Sequence, residues 1–143
     1  MKLFLMRHAE AETSAKVMKK DADRRLTEGG RLQARVAANK LKEKLAQQDE
    51  SIEVILTSPY VRAVETADIV ATTLGLDGKV FKEENLSPGA DINKIKQIED
   101  KYRDSGNLLL VGHEPDLGVI AGQLLRLNSA RPLAKAEVLE IGV

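Results

Sequence analysis

Short apolar runs alternate along the chain with longer segments in which apolar residues recur every three or four positions. The short runs, residues 2–6, 53–56, 79–81, 107–111 and 137–141, have the length of buried strands, and the second and fourth are rich in Val, Ile and Leu. The longer segments predict helices. Over 30–47, Leu32, Val36, Leu41 and Leu45 follow a period close to 3.6, with Thr27 placed to cap the first turn and Glu28 at its positive end. Residues 59–74 carry Val61, Val64, Ala67, Val70, Ala71 and Leu74 on one side, and Gly75 supplies a stop. Residues 115–127 repeat the design with Leu117, Ile120, Leu124 and Leu127 behind a proline in the first turn. A weaker helix over 91–103 spaces Ile92, Ile95 and Ile98 at three. Strands alternating with helices predict an α/β sandwich around a mostly parallel sheet.

The chain has 143 residues, the size of one domain spanning 1–143, and shows no internal repeat, linker or low-complexity tract. Lys plus Arg and Asp plus Glu both number 22, so the balanced charge gives no footprint for nucleic acid or an anionic membrane. An anion site would have to be built locally from a few placed cations. The absence of cysteine excludes disulfides, thiolate zinc sites and cysteine nucleophiles. The opening apolar run is interrupted at once by Arg7 and His8, and no stretch approaches the roughly 18 apolar residues of a membrane span. A cytoplasmic protein is expected.

The polar residues that call for explanation recur just after strands: Arg7-His8, Thr57-Ser58-Pro59 and Gly112-His113-Glu114. Open parallel sheets bind ligands beyond the carboxyl ends of their strands. The three segments would therefore deliver Arg7, His8, Ser58, Arg62 and His113 to one rim. Two arginines suit a phosphate, because each guanidinium is a permanently charged planar fork of donors. Arg62 also lies in the first turn of a predicted helix, where free N–H groups favour an anion. Both histidines of the chain fall in this cluster. Its composition points to binding of, and attack on, a phosphoryl group.

Four blocks make these residues familiar. Met6-Arg7-His8-Ala9-Glu10 resembles the Arg-His-Gly signature of the histidine phosphatase (phosphoglycerate mutase-like) superfamily. Leu26-Thr27-x-x-Gly30 is similar to its second block, Ser58-Pro59-x-x-Arg62-Ala63-x-x-Thr66-Ala67 to its third, and Val111-Gly112-His113-Glu114 to the block with the second histidine. Leu86-Ser87-Pro88-Gly89-Ala90-Asp91 narrows the resemblance to the small SixA-type protein phosphohistidine phosphatases. The resemblance implies a three-layer α/β/α sandwich and a metal-independent hydrolase with no cofactor. It implies that His8 is the nucleophile that becomes phosphorylated, with Arg7, Arg62 and His113 forming the phosphate pocket. A protonated His113 would add a third positive donor, and Arg7 and Arg62 would keep His8 neutral. The implied partner is a phosphorylated protein, such as a histidine-phosphotransfer domain, and not nucleic acid or membrane.

Two departures bear on the chemistry. Ala9 stands where the family usually has glycine, which is tolerated unless the position needs positive φ. Larger relatives place an acid near the third strand to protonate the leaving group, whereas Leu86-Ser87-Pro88 offers none, leaving Glu83, Glu84 and Asp91 as candidates. An alkoxide needs such a donor, while the imidazole of a phosphohistidine leaves more easily. The alternatives are a small-molecule phosphomonoesterase using one of those three acids, and a non-catalytic phosphate-binding module. Ser58 either caps the helix after it or donates to phosphate. Glu10, Glu12 and Glu114 beside the histidines suggest a metal site, which two neighbouring arginines oppose. Residues 16–25 read as a solvated loop or helix from which Arg25 could approach the site entrance, and 12–14 as surface.

Overall fold

The computed structural model describes residues 1–13 and 20–142. Among them, β1 (Leu3–Arg7), β2 (Val54–Thr57), β3 (Val80–Lys82), β4 (Leu108–Gly112) and β5 (Val138–Ile141) form one sheet in the order β3-β2-β4-β1-β5. The first four are mutually parallel, and β5 runs antiparallel to β1 at the edge. Every strand starts one residue after the apolar run that predicted it begins, and all but β5 also end one residue later. Backbone register causes this, since Arg7 pairs with Gly112 and Thr57 with Val111 after side-chain hydrophobicity has ended.

Successive strand residues point to opposite faces, so one run feeds two cores. Phe4, Met6, Ile55, Leu109 and Val111 pack with α1 (Glu28–Gln47) and α2 (Val61–Leu74). Leu3, Leu5, Leu56, Leu108 and Leu110 pack on the other face with α3 (Ile92–Lys101) and α4 (Asp116–Leu124). The result is a three-layer α/β/α sandwich. Strands buried on both faces read as continuous apolar runs, which is why the sheet was visible in the sequence.

Thr27 caps α1 as expected, its hydroxyl accepting from the Gly30 N–H at 2.9 Å. The buried stripe of α1, however, is Gly30, Ala34, Ala38, Leu41 and Leu45. Leu32 and Val36, expected in the core, are 56% and 45% exposed. They lie two residues from the stripe, about 200° around the helix. Small residues bring α1 against Ala63, Ala67 and Ala71 of α2, and a count of large apolar side chains misses that packing. Leu32 and Val36 instead line a groove of about 610 Å³ between α1 and residues 135–138. Helix α4 stops at Leu124, leaving Leu127 51% exposed, and Pro115 precedes it as the N-cap through a cis bond from Glu114. Among the described residues no helix is long and apolar enough to cross a membrane.

Candidate active site

Because β1, β2 and β4 are parallel, their carboxyl ends share one rim, and Arg7, His8, Ser58, Arg62 and His113 all sit along it. The backbone of His8 is held by its N–H donating to the Gly112 carbonyl at 3.1 Å. Its Nδ1 lies 2.7 Å from the Ala9 carbonyl oxygen, an acceptor only, so Nδ1 carries the hydrogen. Nε2 is thereby left with its lone pair outward, and Arg62 Nε donates to it at 3.3 Å. The His113 ring stands 5.2 Å from that of His8, centroid to centroid.

Burial is the main reason both rings are held neutral. It drives the His8 pKa down to about 4, with Arg62, Arg7 and Arg24 adding to the effect against the Ala9 carbonyl. His113 falls to about 3, through burial first and then the positive charge His8 would carry and that of Arg62. The condition under which His113 would add a third positive charge is therefore not met at neutral pH in the free protein. The expectation that the arginines keep His8 neutral named a real but lesser cause.

Arg62, on the first turn of α2, is 5% exposed. Its guanidinium stacks 5.0 Å from the Tyr60 ring, whose edge meets His113 at 5.2 Å. Ser58 is fully buried; its hydroxyl accepts from the Tyr60 N–H at 3.2 Å and lies 2.8 Å from His113 Nε2. It thus serves the chain entering α2 and the second histidine together. Arg7 donates through Nη1 to the Leu133 carbonyl at 3.2 Å, while among the described residues its buried Nε has no partner, and neither has Nδ1 of His113.

Thr66, one turn after Arg62, accepts from the Ala9 N–H at 3.1 Å and donates to the Arg62 carbonyl at 2.8 Å, locking β1's end to α2. Its i+4 relation to Arg62 was the available signal. Ala9 is fully buried and does not adopt positive φ, so its methyl group is accommodated. Glu10 accepts from the Thr27 hydroxyl at 2.8 Å and its carbonyl from the Thr27 N–H.

The segment before α1 holds a neighbour that sequence reasoning missed. Asp21 engages Arg62, and Arg24 rather than the exposed Arg25 lies close enough to act on both imidazoles. Of the expected segment 16–25, residues 16–19 lie outside the described residues, as does Ser14, and Asp21–Asp23 form a single 3-10 turn. The three candidate acids have other partners. Glu83 binds Lys101 at 2.9 Å and the Tyr102 hydroxyl at 3.2 Å; Glu84 accepts from Ser87; Asp91 caps α3 through the Lys94 N–H. Among the described residues no three His, Asp or Glu side chains stand close enough to hold a metal ion.

A parallel sheet with two histidines and two arginines gathered at its rim defines a phosphoryl-transfer class, and comparison with known proteins gives the same answer. The model of the histidine phosphatase superfamily, branch 1, matches residues 3–87. The phosphohistidine phosphatase SixA homolog of Haemophilus influenzae is 36% identical over 129 residues, 87% of this chain and 77% of that protein. Phosphohistidine phosphatase SixA of Escherichia coli is 30% identical over 126 residues, 87% of this chain and 74% of that one. The solved structure of the protein histidine phosphatase SixA complexed with tungstate aligns at a TM-score of 0.81 and 25% identity, over 98% of this chain and 86% of that chain. The chain belongs to the histidine phosphatase superfamily. It is a phosphatase, a hydrolase of the group that includes the SixA proteins.

Proposed function

We propose that this protein removes phosphate from phosphohistidine on a partner protein, through a phosphorylated His8. The observation that carries the reading is the His8 ring itself, fixed through Nδ1 so that an unprotonated Nε2 faces Arg62. Nε2 attacks phosphorus, forming a new P–N bond as the bond to the substrate imidazole breaks. The leaving imidazole, protonated at its other nitrogen, departs neutral. Water then attacks the phosphoenzyme, releasing phosphate and regenerating His8. Phosphoryl transfer runs through a loose transition state, so charge and positioning do most of the work.

Arg7 and Arg62 supply fixed positive charge to the phosphoryl oxygens. Ser58, donating to His113 Nε2, leaves the hydrogen of His113 on Nδ1, where that unpartnered atom is a free donor to phosphate. Ser58 then serves substrate indirectly, by orienting His113. The engagement of Glu83, Glu84 and Asp91 elsewhere favours a leaving group that needs no strong acid. Asp21 does not replace them: burial pushes its carboxyl up, but Arg62 and Arg24 outweigh that and hold it below the usual range, ionised.

The test is phosphate release from a phosphohistidine-bearing phosphotransfer protein beside a panel of small phosphate esters, with His8→Ala as control. Fast release from the protein, slow release from the esters and no phosphoenzyme in His8→Ala are expected. Preference for the esters would replace the protein substrate by a metabolite, and a trapped phosphoenzyme in His8→Ala would remove His8 from its role.

A further inference from the structure

Arg62 presents three nitrogens, and their distribution is uneven. Nη1 donates to the Asp21 backbone carbonyl at 2.8 Å and Nη2 to Asp21 Oδ2 at 3.2 Å, while Nε alone meets His8 Nε2. Gripping both terminal nitrogens from one residue fixes the rotation of the guanidinium plane. The other carboxylate oxygen, Oδ1, lies 2.9 Å from both Nε and Nη2 of Arg24, a forked pairing, and Arg24 Nη1 reaches the Glu12 carbonyl. Asp21 therefore divides its two oxygens between two guanidiniums. Without it, two cations would face each other across the rim of the site.

We propose that Asp21 is a positioning residue of this site: it sets the roll of Arg62 so that Nε faces the reacting nitrogen. The inference rests on the phosphoryl-transfer reading given above. An opposite role is conceivable for a carboxylate beside a phosphate pocket, namely competition with the substrate for Arg62. The geometry argues against it. Competition would place the carboxylate on the nitrogen of Arg62 that faces His8, and Asp21 holds only Nη1 and Nη2, leaving Nε to His8 Nε2. Half of its hold on Arg62, moreover, is a neutral carbonyl. The burial contrast agrees, since the Arg62 side chain is 6% exposed and that of Asp21 56%, so Asp21 approaches from the solvent side of the site.

The experiment compares Asp21→Ala, Asp21→Asn, Arg62→Ala and the double variant Asp21→Ala/Arg62→Ala with the wild-type protein. Two quantities are read: turnover of the phosphorylated protein, and calorimetric binding of inorganic orthophosphate, which depends on no particular substrate. Asp21→Ala is expected to lower kcat/KM by about tenfold to 100-fold, as loss of near-attack geometry does, and to weaken orthophosphate binding. Asp21→Asn, which retains one side-chain acceptor oxygen but not the charge, should lie between it and wild type. The double variant should be no worse than Arg62→Ala, because a residue that acts only through another adds nothing once that other is gone. Additive losses, unchanged kinetics, or tighter orthophosphate binding in Asp21→Ala would each overturn the proposal. If Asp21→Ala does not fold, Asp21→Asn and its own combination with Arg62→Ala decide the matter. Phosphate release that survives in His8→Ala would instead sink the underlying mechanism, while the orthophosphate titrations would still read Asp21.

Discussion

His8 and His113 are only 5.2 Å apart, and protonating either would cost the desolvation of a charge plus repulsion from the arginines around it. Both rings should stay neutral well below the ordinary histidine range, with His8 titrating near pH 4 and His113 near pH 3. Imidazole nitrogen chemical shifts followed by NMR from pH 8 to pH 3 check this. Transitions near 6.5 for both would contradict it. Since burial is the first cause for each, Arg62→Ala should raise the two values only in part. In the unfolded chain both residues bind a proton near pH 6.5, so the unfolded state takes up protons that the folded state refuses. Stability therefore falls as pH drops from about 6.5 towards the lowered folded values. A second single-residue constraint is Gly30, where a Cβ would lie 2.0 Å from the Glu10 carbonyl oxygen. Gly30→Ala should lose about 1–3 kcal/mol in urea unfolding despite alanine's better helix propensity, because backbone must move. The residues of the candidate site were legible because strand ends and phosphate chemistry announce themselves in Arg and His. Asp21 and Arg24 were not, because their relevance arises from a loop whose path no periodicity encodes.

At the scale of elements, the sheet was easier to read than the helices. Both faces of β1, β2 and β4 are buried, so their apolar runs are continuous and each was placed to within one residue at either end. The phase of α1 was obscured because its core contacts are made by alanines while Leu32 and Val36 face outward. Helix α3, whose isoleucines gave the weakest pattern, was nonetheless placed to within two residues, with Asp91 as its cap rather than its first residue. That placement has a functional edge, because α3 also holds the carboxylate that sequence reasoning offered as an acid. Glu83 is 7% exposed and bound to Lys101 at the last turn and to Tyr102 at the C-cap. Glu83→Gln is expected to leave phosphohistidine turnover near wild type, and Asp91→Ala to cost about 1 kcal/mol of stability with the same turnover. Steady-state kinetics beside denaturant midpoints separate these effects. A collapse of turnover in Glu83→Gln would make that residue the missing acid.

The order β3-β2-β4-β1-β5 puts the strand that ends at Arg7, just before His8, between β4 and β5, the last two described strands. Leu3 pairs with Leu108 on one side and Ile141 on the other, and the Ala136 N–H donates to the Arg7 carbonyl. β1 is thus made well before either of its neighbours and waits for both. A nascent chain that has emerged as far as β3 already contains His8, Ser58 and Arg62, but the sheet position between β4 and β5 does not yet exist. Contacts that span so much of the sequence are slow to form, because a long loop must close before any pairing rewards it. The order of synthesis therefore delays the site: a message cut short anywhere before the codons for β4 yields a chain in which His8 has no neighbouring strand to hold its place.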